Sequence, residues 1–485
     1  MLQNILKAFQ KQLPLLLAIF LTFLIVYFIK QNKEHYALLL PVALCGLYWY
    51  IFRVDLLFLF LAFSVPLSTS LEMLGFHNAL GVELFLPSEA VLIALLAFAS
   101  YKLLFYFDVF KPLLSHPIFI GISIYLFTIF FTSITSEMPI VSFKFFLSRL
   151  WLMLPPLILG YLFFKQTNLN YHKFILLLST SAALVVLYTI SRFVLEGMEL
   201  HAAHFVMQPF YKDHTVYGAS ITLIAFLSVF NIFNVKLNPI TRLYFLMLTL
   251  ILIAGIIFSF TRAAWLSILC ALVVYAIMKL RISFRFLFIS TATVLLVLVS
   301  FWTEIYFALN KNSQDSSANF SEHVSSVSNI STDASNLERL NRWFCAIELW
   351  EERPVVGWGP GTYQFQYSAH QKSYTRSLIS TNTGNRGNAH SEFLGTLSES
   401  GWLGLAGLLT FLIITLSYGI KLYHQLESKE EQHIVMGILL AIISYFIHGL
   451  LNNYLDTDKC AVPLWIGVSM LIVIGSRHKK RNSLN

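Results

Sequence analysis

Apolar runs and short polar connections alternate along nearly the whole chain. The runs fall near 13–30, 36–52, 55–70, 86–106, 117–135, 142–163, 172–193, 215–234, 241–260, 263–279, 284–305, 400–422, 431–451 and 459–476. A helix needs about 20 such residues to cross roughly 30 Å of hydrocarbon, so the pattern predicts an all-α, polytopic integral membrane protein with about 12–14 transmembrane helices. One connection breaks the rhythm, the stretch 306–399. Its first part, Asn310 to Ser335, is rich in Ser and Asn and reads as a tether. From Asn336 the residues Leu337, Leu340, Phe344, Ile347 and Trp350 recur at helical spacing, which predicts an amphipathic helix lying on the membrane surface. Pro354 and the glycines of Gly357-Trp358-Gly359-Pro360-Gly361 stop it. The chain thus divides into a first block of spans (1–305), a large outer loop with short helices (306–399), C-terminal spans (400–476) and a basic tail (477–485).

Composition supports the bilayer as solvent. Of the 485 residues, 57% are hydrophobic and 12% charged, against about 25% charged in soluble domains. The net charge of +8 sits singly or in pairs at the ends of apolar runs, the pattern that orients spans and not one that binds nucleic acid. Arg477, Lys479, Lys480 and Arg481 mark the tail as cytoplasmic, and Lys279 to Arg285, Lys236 to Arg242, Lys165 to Lys173 and Arg53 then fall on the same side. Lys30 and Lys33 are outvoted. Lys7 and Lys11 precede a first span with no cleavage site behind it, which reads as retained. Cys45, Cys270, Cys345 and Cys460 form no CxxC pair and suggest neither a disulfide framework nor a metal site.

This topology gathers three features on the outer face: the loop 194–214, the turn carrying Arg262, and the insertion. In Asn388-Ala389-His390-Ser391-Glu392, nine residues after Ser391 lead to Gly401-Trp402-Leu403-Gly404 and straight into a span. The glycines let that span start close against a neighbour, holding His390 at the membrane surface, and histidine suits proton transfer near neutral pH. The plainer alternative is a polar residue at a helix start. Arg339 and Arg342, three apart, share a helix face and can grip an anion such as pyrophosphate, unless they form a solvated face paired with Glu338. Arg262, in Ser259-Phe260-Thr261-Arg262-Ala263-Ala264-Trp265, interrupts two apolar runs. Arg149 lies deeper within its span, where an arginine normally has a partner.

The segments SFTRAAW, ERLNRW with ERPVVGWGPGTY, and NAHSEFLGTLSESGWLG together resemble the O-antigen ligase and O-antigen polymerase superfamily of bacterial membrane glycosyltransferases, over roughly 200–450. That resemblance implies a GT-C-like fold in the bacterial inner membrane with its active site facing the periplasm. It implies transfer of a glycan from undecaprenyl pyrophosphate to an acceptor hydroxyl, on the lipid A core for a ligase or on another glycan for a polymerase, with neither metal nor nucleotide sugar. The essential histidine of the family's H-[S/N/Q]-x9-GxxG motif falls on His390. Pyrophosphate-gripping arginines fall on Arg262 and on Arg339 or Arg342, and Arg149 is a further donor-side candidate. The His-to-GxxG spacing leans toward a ligase.

Other signals carry less. His201, His204 and His214 have a loose metal-like spacing without a compact further ligand. Asp213 beside His214 either bonds a sugar or caps a helix, and Glu399 is a further substrate-side candidate. Asp456-Thr457-Asp458 looks like the DxD of nucleotide-sugar transferases, but its short interspan loop favours capping. A polysaccharide-lipid transporter is the runner-up function. It predicts charges spread through the spans and repeat-related halves, whereas the unusual residues concentrate on one face.

Overall fold

The computed structural model describes residues 44–73, 84–166, 168–281, 334–371 and 387–483. The chain separates into two units, Met1–Ala62 and Phe63–Asn485, and every residue of the candidate site belongs to the second. Among the described residues ten helices are long and apolar enough to cross a membrane, which makes the protein an all-α polytopic membrane protein. The predicted runs at 13–30 and 284–305 lie outside the described residues, as do residues 36–43 of the run at 36–52 and most of the tether. The run at 55–70 is shorter than expected. It forms α1 (Val54–Leu67), whose 14 residues rise about 21 Å, less than the hydrocarbon core. The chain then enters a two-residue strand, β1 (Thr69–Ser70), antiparallel to β2 (Phe85–Leu86).

The remaining helices follow the predicted order: α2 (Ser88–Phe105), the short α3 (Phe107–Leu114), α4 (Pro117–Ile134), α5 (Pro139–Gln166), α6 (Asn168–Leu195), α7 (His214–Val229), α8 (Pro239–Phe258), α9 (Arg262–Leu280), α10 (Ala334–Glu352), the short α11 (Tyr363–Gln366), α12 (Glu392–Gln425), α13 (Lys429–His448) and α14 (Asp458–Asn482). Their starts are written locally. Asn238 accepts from the Thr241 amide at 2.7 Å ahead of Pro239, and Asp213 accepts from the amides of Thr215 and Val216 at 2.7 and 3.1 Å, satisfying donors that a helix start leaves unpaired.

Burial sorts the spans. In α14 every residue from Asp458 to Gly475 is buried, so this helix runs through the centre. By contrast α8 and α9 expose Leu243, Met247, Leu250, Leu266, Leu269 and Val273, an apolar surface suited only to lipid. Small residues bring backbones close. A Cβ on Gly121 would stand 3.3 Å from the Cα of Phe411, and one on Gly407 would stand 3.2 Å from the Cα of Tyr125, so α12 lies tight against α4.

Two expectations change. The helix predicted from Asn336 exists as α10, but its protein-facing side is Glu338, Asn341, Arg342, Cys345, Ala346 and Leu349, while Phe344 points outward. Both faces therefore have work, and the polar one holds a loop. Asp458 caps no helix by side chain. It is buried at the start of α14, where Ser68 donates to its Oδ2 at 2.5 Å and Ser88 also donates, and Lys459 beside it donates to the carbonyls of Val65 and Ser68 at 2.6 and 2.7 Å. A charge in the bundle interior is tolerated only with such partners.

Candidate active site

The two glycine-bearing motifs of the insertion interlock through their backbones. Trp358 and Gly359 donate to the carbonyls of Ser398 and Glu399 at 3.2 and 2.7 Å, and Trp402 and Leu403 donate back to Pro354 and Val355 at 2.8 and 3.2 Å. The approach leaves no room for side chains. A Cβ on Gly357 would lie 2.3 Å from the carbonyl carbon of Glu399, and one on Gly401 would lie 2.3 Å from that of Val355; both glycines have positive φ, +66° and +61°. Gly401 breaks α12 into a short Glu392–Ser400 segment and the long span. Glu399 is drawn into the same joint, where its carboxylate accepts from the Tyr363 amide at 3.1 Å.

The short segment carries His390 at its entrance. Ser391 caps it, accepting from the Leu394 amide at 3.3 Å. His390 itself has φ +48°, a left-handed conformation uncommon for a residue other than glycine. Its neighbours hold that turn: its amide donates to Asn388 Oδ1 at 3.1 Å and its carbonyl accepts from Trp343 Nε1 at 3.3 Å. From the other side, the Glu392 carboxylate accepts from the Tyr445 hydroxyl at 2.5 Å and from the Tyr454 and Leu455 amides at 2.8 and 2.9 Å. The His390 turn is thereby fastened to the connection between α13 and α14. Burial, then the guanidinium groups of Arg342 and Arg339, depress the imidazole to a pKa of about 4. His390 is therefore neutral at physiological pH, the state in which it accepts a proton.

The arginines divide into three roles. Arg342 is buried, with Nε on Glu338 at 2.8 Å, an Nη on the Asn388 carbonyl at 3.0 Å and the guanidinium 4.9 Å from the Tyr367 ring centroid. The pairing with Glu338 is real, yet buried and not solvated, and through Asn388 it steadies the His390 turn. Arg342→Lys is expected to lower thermal stability by about 1–3 kcal/mol, since one ammonium cannot reproduce a planar fork bonded at two points; an unfolding curve of the membrane-embedded variant checks this. Arg339 and Arg262 both lie within electrostatic reach of His214, and Arg339 also of His390, so α9 and α10 bring their cations to the same region. Arg149 has a different neighbourhood. Its guanidinium lies 4.7 Å from the Phe145 ring centroid and its electrostatic neighbours are Tyr125, Glu392, Asp456 and Tyr445.

Asp213 and His214 join this region from α7. Asp213 caps the helix, as one of its two predicted roles required, and also accepts from the Thr215 hydroxyl at 2.5 Å. His214 Nδ1 lies 3.1 Å from His204 Nδ1, and its carbonyl accepts from Thr261 at 2.8 Å, which ties the Arg262 turn to α7. No third side chain among the described residues completes a metal-binding group with them.

Three contributors were invisible to motif reading: His448, Asn452 and Tyr454. Each is buried or half-buried, and Tyr454 bonds Thr215 of α7 as well as Asn452. Tyr454 also bonds Glu392, and its partners Glu392 and Thr215 lie 62 and 239 residues away, so no local spacing announces it. Residues 247–409, which include Arg262, Arg339, Arg342, His390 and Glu399, match the family model described as Wzy_C, O-antigen ligase. No curated protein matches the chain.

Proposed function

From the premise that the chain belongs to the O-antigen ligase and polymerase superfamily, we propose that it transfers a glycan from undecaprenyl pyrophosphate to an acceptor hydroxyl at the periplasmic face of the inner membrane, with a lipid A core sugar as acceptor. The neutral His390 imidazole takes the proton of the acceptor hydroxyl. That oxygen forms a bond to the anomeric carbon as the bond from the anomeric carbon to the pyrophosphate oxygen breaks. The electron pair leaves with undecaprenyl pyrophosphate, and attack from the opposite side inverts the anomeric centre. Arg262 and Arg339 absorb the developing charge. Arg342 contributes field and holds the turn, and Arg149 is a more distant contributor. Asp213, His214 and Glu399 shape the substrate side.

The observation that carries the proposal is convergence: His390, Arg339, Arg342 and Arg262 come from three separate segments, and Asp213 and His214 from a fourth, yet they share one electrostatic neighbourhood. A deletion strain tests it. Loss of all lipid A-linked surface glycan supports the ligase. Single capped repeat units indicate a polymerase that joins repeat units on the same carrier. Unchanged surface glycan overturns glycan transfer altogether, and loss of carrier-linked glycan from the outer leaflet indicates a flippase.

Arg262→Lys is expected to raise the donor KM roughly tenfold, about 1.4 kcal/mol, because a point charge replaces a bidentate fork. Transfer kinetics in membranes with varied undecaprenyl-linked glycan read this directly; an unchanged donor KM would remove Arg262 from the donor site.

A further inference from the structure

The end of the bundle remote from His390 holds a cavity of about 360 Å³ between α6 and α8, lined by His172, Lys173, Leu176, Lys236, Thr241 and Phe245 among others. From this cavity α8 runs 20 residues, about 30 Å, toward the Arg262 turn. Lys173 and Lys236 are exposed, whereas Phe245 is fully buried and forms an apolar floor. One turn beyond Leu176 the Thr180 and Tyr244 hydroxyls, 3.2 Å apart, bridge the two helices and bound the crevice. One of the two lysines is fixed from behind. Glu430, buried at the start of α13, pairs with Lys236, accepts from Asn234 Nδ2 at 3.2 Å and lies 3.6 Å from His172 Nε2. Lys173 adds a further positive charge, and among the described residues lining the cavity none is acidic. Beside the same helix start Arg242, whose Nε donates to the Ile232 carbonyl at 2.8 Å, lines a second cavity of about 230 Å³.

We propose that the crevice between α6 and α8 binds an anionic phospholipid, its phosphate on Lys173 and Lys236 and an acyl chain along α6. The chain's path is laid out in the sequence of that helix. Lys173, Leu177, Leu184 and Leu187 share one face, and Leu184 and Leu187 are exposed, an apolar stripe that leads away from the cation. The protein is a polytopic membrane protein, so lipid fills a crevice between its spans, and a basic pocket at the end of such a crevice favours an acidic head group. A zwitterionic head group would bring a further cation to two lysines. A soluble anion would use the lysines but not the apolar stripe. Because Glu430 already balances Lys236, Lys173 supplies the net charge that attracts the phosphate. The site lies a full span away from His390 and does not depend on the role assigned to that residue.

The test is native mass spectrometry of the full-length protein in detergent, titrated with phosphatidylglycerol or with phosphatidylcholine of the same chain length. Phosphatidylglycerol should bind roughly tenfold more tightly. Lys173→Gln should weaken its binding roughly fivefold, the effect of one lysine beside an acidic head group, and leave phosphatidylcholine unchanged. Lys111→Gln is the control, since Lys111 is also exposed, pairs with Asp108 at 2.7 Å on α3 and lines neither cavity. Lys173 is exposed at the start of its helix, so both variants should fold, and an unfolding curve checks that they do. No preference for phosphatidylglycerol in the natural protein overturns the proposal. Equal losses in Lys173→Gln and Lys111→Gln reduce the preference to general surface charge and overturn the site. Complete displacement of the lipid by inorganic phosphate at matched ionic strength identifies a free-phosphate site and overturns the lipid as its occupant.

Discussion

His390→Ala abolishes measurable glycan transfer, an expected loss of roughly 10²–10⁴-fold, while protein abundance stays unchanged. In the proposed reaction the attacking alcohol is a weak nucleophile until its proton leaves, and the arginines cannot remove one because they stay protonated at all accessible pH. A second variant separates chemistry from backbone. His390 has φ +48°, where Asn is tolerated better than Ala, so His390→Asn keeps the turn and loses the base. Both variants should be equally inactive. Membranes carrying His390→Asn that still pass glycan to the acceptor at the natural rate would end the assignment.

Gly401→Ala is the second large effect. A Cβ there meets the Val355 carbonyl carbon at 2.3 Å with φ at +61°, adding about 1–2 kcal/mol of left-handed strain to about 1–3 kcal/mol of overpacking. The joint between the Pro354–Pro360 turn and the start of the long span should open, and the His390 segment on its far side should lose register. Lower thermal stability and lost transfer are expected together. Gly395→Ala is the matched control, since a Cβ at Gly395 finds Ala389 at an ordinary 3.6 Å and helix propensity favours alanine. If the two variants were equally stable, the joint would not be what sets the His390 segment.

The hydrophobic rhythm by itself determined the class of the protein and ten of its spans to within a few residues at most ends, with the exception that Glu392–Ser400 joins α12 across a kink. That legibility has a physical cause: hydrocarbon requires a continuous apolar helix of set length, and a requirement so local is written in consecutive residues. The three motifs, and with them His390 and the arginines, were equally visible because each is a short run. Where α1 stops short, and which side of α10 faces the protein, were decided by neighbours distant in sequence. The same holds inside the site. Sequence spacing put Arg339 and Arg342 on one face, but only the packed structure commits Arg342 to Glu338 and Asn388, and only it turns the cap Asp213 into the far end of a chain reaching Asn452. A hydrogen bond between Tyr454 and Thr215, or three donors meeting on Glu392, spans too much chain for any period or motif to encode. The sequence offered His390 and the arginines as candidates; the tertiary structure alone decided how the His390 turn is held, because Trp343 and the partners of Glu392 come from segments far along the chain.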